Sequence, residues 1–461
     1  MIAPARLAAY RVLRAVNRGR ADLPAALARV RVSLEDERDR ALAGEIATGT
    51  LRWQGAYDAV IAAFARRPAA KLDPEVLDIL RMTAFQLIHL DRVPASAAVN
   101  DAVDLVRKAG KRSASGLVNA VLRRISRERA HLPLPPRPVP EKVAGTFPEQ
   151  VPATFLAYLS TTLSHPQWLV QRWLDRYGFE AAEAWALFNN SPASLTLRAN
   201  TLRISREDLA EQLSAAGVET EPARFAPHAL YVKRGNPLLT PLAGSGLFSV
   251  QDESSQLVAQ LTGVKPGERV LDGCASPGGK TTAMAAAMGN EGLIVATDVR
   301  GRRVDLLRRT VRSAGAECVR VVQADLAGDL PFATRFDCVL LDAPCSGLGT
   351  LRRDPEVRWR RSSDNFERLA AVQGAMLRRA ADVIVPGGRL VYATCSSEPE
   401  ENEAVIGRFL HDRQDFTSAP ARIPAELARF ITPDGYFRTF PFRDQLEPFF
   451  AAMLVKTKDL R

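Results

Sequence analysis

The 461-residue sequence predicts an α/β protein whose C-terminal part is a doubly wound parallel sheet. From about residue 247, apolar strand-like runs alternate with helical ones, which is typical of a sheet with helices on both faces. Residues 5–130 place apolar residues at intervals of three and four, which predicts an all-α bundle. The segment between them mixes both patterns, so we expect a small α+β subdomain there.

The first region, residues 1–131, is predicted to be a compact helical bundle. Its helical segments are LAAYRVLRAV, EIATGTLRWQGAYDAVIAAF, EVLDILRMTAFQLIHL and SASGLVNAVLRRIS. Breaks are expected at Pro68, Pro74 and Pro94, because proline cannot continue a helix. The proline cluster HLPLPPRPVPEK follows, so we predict an extended linker over residues 132–145.

Positive charge is concentrated in this bundle. The whole chain has a net charge of +10, and residues 1–131 hold 23 Lys and Arg against 14 Asp and Glu, a net charge of +9. Such a basic region indicates docking to the phosphates of a nucleic acid. An arginine-rich, solvated helical surface is the alternative explanation.

The composition is that of a soluble globular protein, with 46% apolar and 25% charged residues. No apolar run is long enough to cross a bilayer, and the N-terminus lacks the uninterrupted apolar stretch of a secretory signal. Five cysteines with no CxxC pair argue against a disulfide scaffold or a metal site. We therefore expect a cytoplasmic protein without a membrane partner or a metal.

The two later regions are predicted from their strand and helix patterns. Residues 146–246 combine helical WLVQRWLDRYG and EDLAEQLSAAG with the short strands SLTLRAN and ALYVKRG. Residues 247–461 should contain the doubly wound sheet, with strands in RVLDGCA, LIVATD, CVRVVQAD, FDCVLLDAP and RLVYATC.

A glycine-containing loop follows the first of these strands, in VLDGCASPGGKTTAMAAAM (270–288). Glycines at such a turn let the backbone approach a ligand closely, with helix N-terminal N–H groups aimed at it. A P-loop would need glycine at position 274, where this chain has Cys274, and the dinucleotide pattern GxGxxG is absent. The loop therefore indicates a ligand of another class.

Acidic residues stand at the C-terminal ends of four successive predicted strands: Asp272, Asp298, Asp325 and Asp342. Those ends line the ligand crevice of a doubly wound sheet. Asp298 is placed to accept hydrogen bonds from both ribose hydroxyls of an adenosine-type ligand, and Asp325 to reach the adenine amino edge. One such aspartate would be explained as a turn or cap residue, but four in register favour a ligand site.

Two cysteines also follow apolar strands directly, Cys345 in LLDAPCSGLGT and Cys395 in LVYATCSSEPEENE, and should lie over the same crevice. Cys318 and Cys338, within or beside their strands, are expected to be inert buried residues. Two thiols and an acid suit methyl transfer to C5 of cytosine. A thiolate that adds at C6 makes C5 nucleophilic, an acid near N3 neutralises the developing charge, and the adduct then loses the C5 proton and the thiol.

The segments CASPGGKTT, DAPCSGLGT and TCSSEPEENE closely resemble the RsmB/Nop/Sun family of RNA cytosine-5 methyltransferases. Residues 5–130 resemble the NusB-like RNA-binding domain of the bacterial ribosomal member. SHPQWLVQRW (164–173) and LRANTLR (197–203) resemble the intermediate RNA-binding subdomain. The resemblance covers essentially the whole chain and implies a Rossmann-like class I methyltransferase domain over residues 247–461.

The resemblance also implies the site and its ligands. S-adenosylmethionine (AdoMet) would be held by Cys274, Ala275, Ser276, Pro277, Gly278, Gly279, Lys280, Asp298, Asp325 and Asp342. Cys395 would be the nucleophile and Cys345 would assist release, with Asp342 as the third catalytic residue. We expect the chain to be a monomer. Its expected partner is RNA, either 16S rRNA or a small-subunit assembly intermediate. The same chemistry on tRNA or another rRNA cytosine, and a non-catalytic RNA-binding assembly factor, remain alternatives.

Two segments differ from the family pattern, and a basic run follows Cys345. Ser276 replaces the usual alanine, and Glu447-Pro448-Phe449-Phe450 stands where the family commonly has Asp-Gly-Phe-Phe, which affects a local turn. The basic run LRRDPEVRWRR (351–361) follows Cys345. Its candidates for RNA phosphate contact are Arg352, Arg353 and Arg358, with Trp359 as a stacking or packing residue. A solvated helix entry is the alternative for each.

Overall fold

The structure, a computed structural model, describes residues 2–139, 153–333 and 335–458. The end of the predicted linker 132–145 and the start of the region 146–246 therefore lie outside the described residues. Among the described helices, none combines the length and apolar character that a membrane span requires.

The chain divides into two compact units. The first comprises Met1–Pro192 and Leu351–Ser362, and the second comprises Ala193–Thr350 and Ser363–Arg461. The short segment Leu351–Ser362 thus interrupts the second unit in sequence and belongs to the first.

The first unit is helical. Its helices are α1 (Pro4–Asn17), α2 (Leu23–Arg31), α3 (Glu37–Arg52), α4 (Gln54–Ala65), α5 (Pro74–His89), α6 (Ala95–Lys108), α7 (Ser115–Arg127), α8 (Ala153–Ala157), α9 (Gln167–Asn190) and, in the inserted segment, α14 (Val357–Arg360). The predicted bundle is confirmed, and α5 and α6 begin at or just after the predicted breaks Pro74 and Pro94. The segment EIATGTLRWQGAYDAVIAAF forms two helices, because Trp53 (φ −103°, ψ 15°) separates α3 from α4.

Helix α5 lies at the centre of this bundle. Its residues Ile79, Leu80 and Met82 are fully buried in the main core cluster, which also takes in apolar faces of α1, α3, α4, α6 and α7. The one buried carboxylate on α5, Asp78, accepts a hydrogen bond of 2.8 Å from Arg14 of α1. This ion pair offsets the free-energy cost of burying the Asp78 carboxylate, so α5 can be buried at the centre of the bundle although it carries a charge.

The inserted segment 351–362 is packed into the first unit, and the prediction that Arg358 contacts RNA phosphate is wrong. The Arg358 side chain is 0% exposed and donates to the carbonyl oxygen of Ser164 and to Asn190 Oδ1, both at 3.0 Å. Burial lowers its pKa to about 9. A guanidinium enclosed by carbonyl oxygens holds a segment in place and has no access to a phosphate.

Two neighbours in that segment are also engaged within the first unit. Trp359 donates from Nε1 to the Leu51 carbonyl at 2.9 Å, which makes it a packing residue. Arg352 donates to the Pro192 carbonyl at 2.6 Å and lies 4.4 Å from the centre of the Phe188 ring. Arg353 is exposed, so its contact with RNA stays a prediction.

The second unit contains both sheets. Its strands are β1 (Thr196–Ala199), β2 (Glu219–Pro222), β3 (Ala229–Arg234), β4 (Phe248–Val250), β5 (Arg269–Gly273), β6 (Leu293–Asp298), β7 (Val319–Gln323), β8 (Phe336–Asp342), β9 (Ile384–Thr394), β10 (Phe416–Ser418), β11 (Phe437–Thr439) and β12 (Phe449–Lys456). Its helices are α10 (Arg206–Ala215), α11 (Glu253–Leu261), α12 (Gly279–Ala287), α13 (Gly301–Ala314), α15 (Asn365–Asp382), α16 (Glu403–Asp412) and α17 (Pro441–Asp444). All predicted strands are present.

The small sheet is antiparallel in the order β2-β3-β1-β4, and the large sheet has the order β10-β12-β9-β8-β5-β6-β7 with β11 on β12. Strands β9, β8, β5, β6 and β7 are parallel, as predicted. Strand β12, however, runs antiparallel to β9, so the sheet is mixed. The alternation of strands and helices does not reveal the direction of the C-terminal strands, which add to one side of many otherwise parallel sheets.

Helices cover both faces of the large sheet, and successive strand residues explain why. In β5, Val270 packs into a cluster with α11, α12 and α13, whereas Leu271 packs into a cluster with α15 and α16. Cys338 and Val339 of β8 alternate in the same way. The inner residues of β5, β6 and β8 are therefore buried and largely apolar, whereas the edge strand β7 exposes Arg320 and Gln323.

Candidate active site

The carboxyl edge of the parallel strands collects the predicted acidic residues. Asp298 and Asp342 are the last residues of β6 and β8, and Asp325 follows β7 by two residues. Asp272 lies in β5 but is 0% exposed, and its Oδ2 accepts a 2.6 Å hydrogen bond from Thr281. Burial raises the pKa of Asp272 to about 7. Asp272 therefore supports the loop from beneath and does not line the crevice, contrary to expectation.

The loop of residues 274–280 connects β5 to α12, and its shape depends on backbone conformation. Cys274 (φ 60°) and Gly278 (φ 108°) both adopt left-handed conformations. A Cβ on Gly278 would lie 2.9 Å from Leu307 Cδ1, so only glycine fits there. The Ala275 N–H donates to the Thr297 carbonyl at 2.7 Å, which anchors the loop to β6.

Side chains in this loop have ordinary supporting roles. Burial, together with the nearby carboxylates Asp342, Asp298 and Asp272, raises the pKa of the Cys274 thiol to about 12, so this thiol stays protonated. Ser276, where the family usually has alanine, donates from its hydroxyl to the Arg303 carbonyl at 3.1 Å. The substitution therefore adds one contact between the loop and α13.

Asp298 and Asp325 differ in exposure. Asp298 is 4% exposed, and its Oδ1 accepts from the Arg300 N–H at 3.0 Å, while Oδ2 lies 3.9 Å from Arg303 Nη1. Asp325 is exposed, and its Oδ1 accepts from the Ala327 N–H at 2.9 Å. Each carboxylate keeps one oxygen without a close hydrogen-bond donor among the described residues, which is available to a ligand.

Lys280 and Asp342 form an ion pair at the start of α12 and the end of β8. Lys280 Nζ lies 2.7 Å from Asp342 Oδ2. Burial opposes the charged form of Lys280, but Asp342, with smaller contributions from Asp252 and Cys395, raises its pKa overall. The aromatic ring of Phe449 lies 5.3 Å from Nζ. The site thus contains a lysine that stays charged beside both a carboxylate and a thiol.

The two cysteines predicted to share the crevice lie side by side. Cys345 Sγ and Cys395 Sγ are 3.1 Å apart, and both are free thiols. The hydrogen bond to Cys395 and burial raise the pKa of Cys345 well above its ordinary value. Cys318 and Cys338 are buried in the sheet core, as expected.

A buried carboxylate, Glu401, holds the two cysteine loops together. Its Oε1 accepts from the Ser346 N–H at 2.8 Å and from Gln373 Nε2 at 3.0 Å, and its Oε2 accepts from Ser396 Oγ at 2.5 Å. Ser346 and Ser396 also contact each other through their hydroxyls at 3.1 Å. Each serine directly follows one of the cysteines, so Glu401 sets the spacing of the two thiols.

The PEENE segment (399–403) carries no residue with a predicted function. Several acidic residues follow Cys395 closely and indicate that one of them could serve the site. Their spacing does not tell which carboxylate turns inward. The structure shows that Glu401 is 0% exposed while Glu400 is partly exposed. Asn402, also buried, accepts from Thr394 Oγ1 at 2.6 Å and donates to the Ser396 carbonyl at 3.0 Å.

The C-terminal Glu447-Pro448 pair forms a well-supported turn before β12. The Glu447 carbonyl accepts from the hydroxyls of Ser254 and Thr439, at 2.8 and 2.6 Å. The Pro448 carbonyl approaches Gly349 so closely that a Cβ at position 349 would lie 2.3 Å from it. The departure from the family pattern is accommodated, and it leaves glycine as the residue that fits in the loop after Cys345.

Comparison with sequence families gives three consecutive matches. The NusB family matches residues 3–127, the ferredoxin-like domain of RsmF/B-like methyltransferases matches residues 165–238, and 16S rRNA methyltransferase RsmB/F matches residues 259–455. All three descriptions agree with an all-α region, an α+β region and a methyltransferase domain in this order.

Individual relatives match over nearly the whole chain. Ribosomal RNA small subunit methyltransferase B from Pseudomonas putida is 35% identical over 88% of both chains, and that from Xanthomonas campestris is 34% identical over 98% of this chain and 97% of its own. The crystal structure of PH0851 superimposes with a TM-score of 0.79, at 27% identity over 99% of both chains. The chain therefore belongs to the RsmB/F family of 16S rRNA methyltransferases.

Proposed function

We propose that this protein transfers a methyl group from AdoMet to C5 of a cytosine in 16S rRNA, through a covalent bond between Cys395 and C6 of the base. The observation that carries this proposal is the pair of thiols 3.1 Å apart, beside the Lys280–Asp342 ion pair. Neither a protein that only binds RNA nor a methyltransferase that attacks an amine or hydroxyl would need two thiols in contact.

The residues of the carboxyl edge suit AdoMet. The oxygen of Asp298 that lacks a close donor can accept hydrogen bonds from the ribose hydroxyls. Asp325, after the next strand, can accept from the adenine amino group. The loop 274–280 can donate backbone N–H groups at the start of α12. When bound there, AdoMet supplies a methyl group on a positively charged sulfur. Lys280 and Asp342 would then lie where the methionine end and the base meet.

The reaction balances with these side chains. The Cys395 thiolate forms a bond to C6, and N3 takes a proton from the Lys280–Asp342 pair, which leaves C5 as the nucleophilic carbon. After methylation at C5, the C5 proton must leave, the C6–S bond must break with its electrons returning to Cys395, and N3 must return its proton. These three events restore the aromatic base and the starting enzyme.

Cys345 suits the release step. While Cys395 is free, the hydrogen bond between the two sulfurs is the largest cause of the raised pKa of Cys345, so Cys345 stays protonated. Once Cys395 is a thioether, that largest cause is removed, although burial and Glu401 still raise the pKa of Cys345. Cys345 must then release its own proton to solvent, and its thiolate accepts the C5 proton, so that one proton is released in each cycle. The same thiol would then donate a hydrogen bond to the departing Cys395 sulfur.

The RNA substrate, the oligomeric state and the cellular compartment are also part of what we propose. The two named relatives are ribosomal RNA small subunit methyltransferases, and the basic residues 1–131 suit an RNA backbone. We propose that the chain acts as a monomer in the cytoplasm on 16S rRNA or an assembly intermediate. We also propose the functional division 1–131, 132–145, 146–246 and 247–461.

Substitution of each cysteine tests the chemistry. We expect Cys395→Ala to abolish methyl transfer and to form no covalent RNA adduct, because nothing remains to add at C6. We expect Cys345→Ala to form the bond, transfer the methyl group and then stall, because the C5 proton is not removed. The stalled species is measured as a protein–RNA band in denaturing electrophoresis that is absent from the wild type and from the double variant.

Adduct accumulation in Cys395→Ala with none in Cys345→Ala would show that the two roles are reversed. Bisulfite sequencing of total RNA from a strain without this protein tests the substrate. Loss of one 16S rRNA signal supports the proposal, loss only in tRNA or at another rRNA cytosine moves the same chemistry there, and no loss anywhere indicates a non-catalytic factor.

A further inference from the structure

The second unit contains a cavity of about 160 Å³. None of the residues assigned to AdoMet or to the two thiols lines it. Its polar wall includes Arg198 of β1, His228 and the amide side chains of Gln256 and Gln260. Its opposite wall is apolar and is formed by alanines of α12, among them Ala286. A volume this small holds one small group and not a whole nucleotide.

Arg198 in this wall is, like Arg358 in the first unit, a buried cation without a carboxylate partner among the described residues, but it differs from Arg358 in bordering a cavity. Its side chain is 5% exposed, and Nε donates to Gln251 Oε1 at 2.8 Å. Nη2 donates to Thr282 Oγ1 at 2.7 Å and to the Gly279 carbonyl at 3.2 Å. Nη1 has no hydrogen-bond acceptor in the part of the chain that the structure describes.

The charges around the cavity are mainly positive. Burial lowers the pKa of Arg198 to about 10, so the guanidinium is still charged at neutral pH. Burial, Arg198 and Arg206 lower the pKa of His228. The nearby carboxylate, Glu207, is bonded to Arg206 at 2.6 Å. Unlike Arg358, which is enclosed by carbonyl oxygens, Arg198 keeps Nη1 without an acceptor among the described residues and borders the cavity, so the cavity is where an anion can pair with it.

We propose that this cavity binds one phosphate group, with Arg198 as the principal ligand and His228 at the mouth. A guanidinium with a free N–H matches the oxygens of a phosphate, and amide N–H groups of glutamines can complete the shell. The group is either inorganic phosphate or a backbone phosphate of RNA, and no residue that lines the cavity is assigned a part in methyl transfer.

The test fills the cavity and leaves Arg198 in place, since Arg198 also supports Gly279 and Thr282. In Ala286→Leu a larger side chain on α12 occupies the space. Ala371→Leu, on the exposed face of α15, is the matched control. Thermal unfolding of the full chain is followed against inorganic phosphate, with chloride adjusted to constant ionic strength.

We expect a saturable rise in the melting temperature with phosphate for the wild type and for Ala371→Leu. For Ala286→Leu, the phosphate affinity derived from the same series should be lower by a factor of at least about ten. His228→Gln should weaken the same rise by a smaller factor. Equal phosphate responses in the wild type and in Ala286→Leu would overturn the proposal, as would no response beyond that to chloride.

A second arm distinguishes the sources of the phosphate group. If RNA occupies the cavity, phosphate should compete with an RNA oligonucleotide for the wild type, and Ala286→Leu should bind that RNA more weakly. If inorganic phosphate is the occupant, RNA affinity should be the same in both proteins. The cysteine adduct assay reports on methyl transfer separately, so failure of one proposal is not mistaken for failure of the other.

Discussion

The loop 274–280 and the two-cysteine centre lie at the same edge of one sheet but are held in different ways. Backbone contacts hold the loop, through the Ala275 N–H on Thr297 and the left-handed glycine at 278. Buried side chains hold the cysteines, through Glu401 and the serines that follow each thiol. The shape of the loop therefore depends mainly on its backbone conformation, whereas the two cysteine loops are joined by one carboxylate 6 residues after Cys395.

This difference follows from what each region must do. A cofactor with fixed shape can be bound by backbone groups, which every sequence supplies where the chain conformation permits. Two sulfurs that react as proposed must keep one separation, and interlocked side chains restrain neighbouring loops in this way. Substitutions should therefore separate the two regions by whether AdoMet affinity or adduct formation changes.

The largest effect is expected for Glu401. Glu401→Ala leaves three buried donors without their acceptor and should lower the free energy of unfolding by about 3 kcal/mol. Adduct formation in the Cys345→Ala background should fall strongly, with AdoMet affinity unchanged at temperatures where the protein is folded. Urea unfolding, calorimetry and the adduct assay measure these quantities.

Glu401→Gln is the control, because it keeps the size of the side chain and one accepting oxygen. It should recover part of the stability and part of the adduct rate. An AdoMet affinity that falls together with the adduct rate in both variants would show that the loop and the cysteine centre are not separately supported.

The next effect is expected at Asp298, on the cofactor side. Asp298→Ala should weaken AdoMet binding by about 1–3 kcal/mol if a buried contact to two hydroxyls is lost. Calorimetry on the folded variant measures the affinity. Asp325→Ala, at an exposed carboxylate, should cost less, and unchanged affinity in Asp298→Ala would remove Asp298 from the site.

A smaller effect is expected at Gly278. Gly278→Ala places a Cβ at φ 108° and 2.9 Å from Leu307, which should cost about 1–2 kcal/mol of stability and weaken AdoMet binding in proportion. Ser276→Ala is the matched control and should lose only the bond to Arg303. Equal losses in the two variants would contradict a loop shaped by its backbone.

The smallest effect on methyl transfer is expected at Asp272, where the readout is stability against pH. Its folded pKa of about 7 exceeds the usual value for aspartate, so the folded state holds this proton more tightly than the unfolded chain. The contribution of this group to stability is complete below about pH 4 and is lost as the pH rises toward 7. In Asp272→Asn, the free energy of unfolding should depend less on pH between about pH 4 and 7 than in the wild type. The same pH dependence in both proteins would contradict the raised pKa of Asp272.

The sequence alone determined the large features of this protein. Apolar periodicity predicted a helical bundle, with named segments for α1, α3–α4, α5 and α7, and every parallel strand of the large sheet, because those elements repeat a local pattern. The motifs around Cys345 and Cys395 predicted that the two thiols share one crevice, because parallel strands end at a common edge. Even the breaks at Pro74 and Pro94 follow from local backbone chemistry.

Only the tertiary structure decided which polar residues face inward. Arg358 and Glu401 stand in sequence among other charged residues, and Asp272 is one of four aspartates predicted at strand ends, yet each of the three is 0% exposed. Their partners Ser164, Ser346 and Thr281 lie 194, 55 and 9 residues away. Burial of a charge depends on partners brought together by the whole fold, so no local pattern separates these residues from their solvated neighbours.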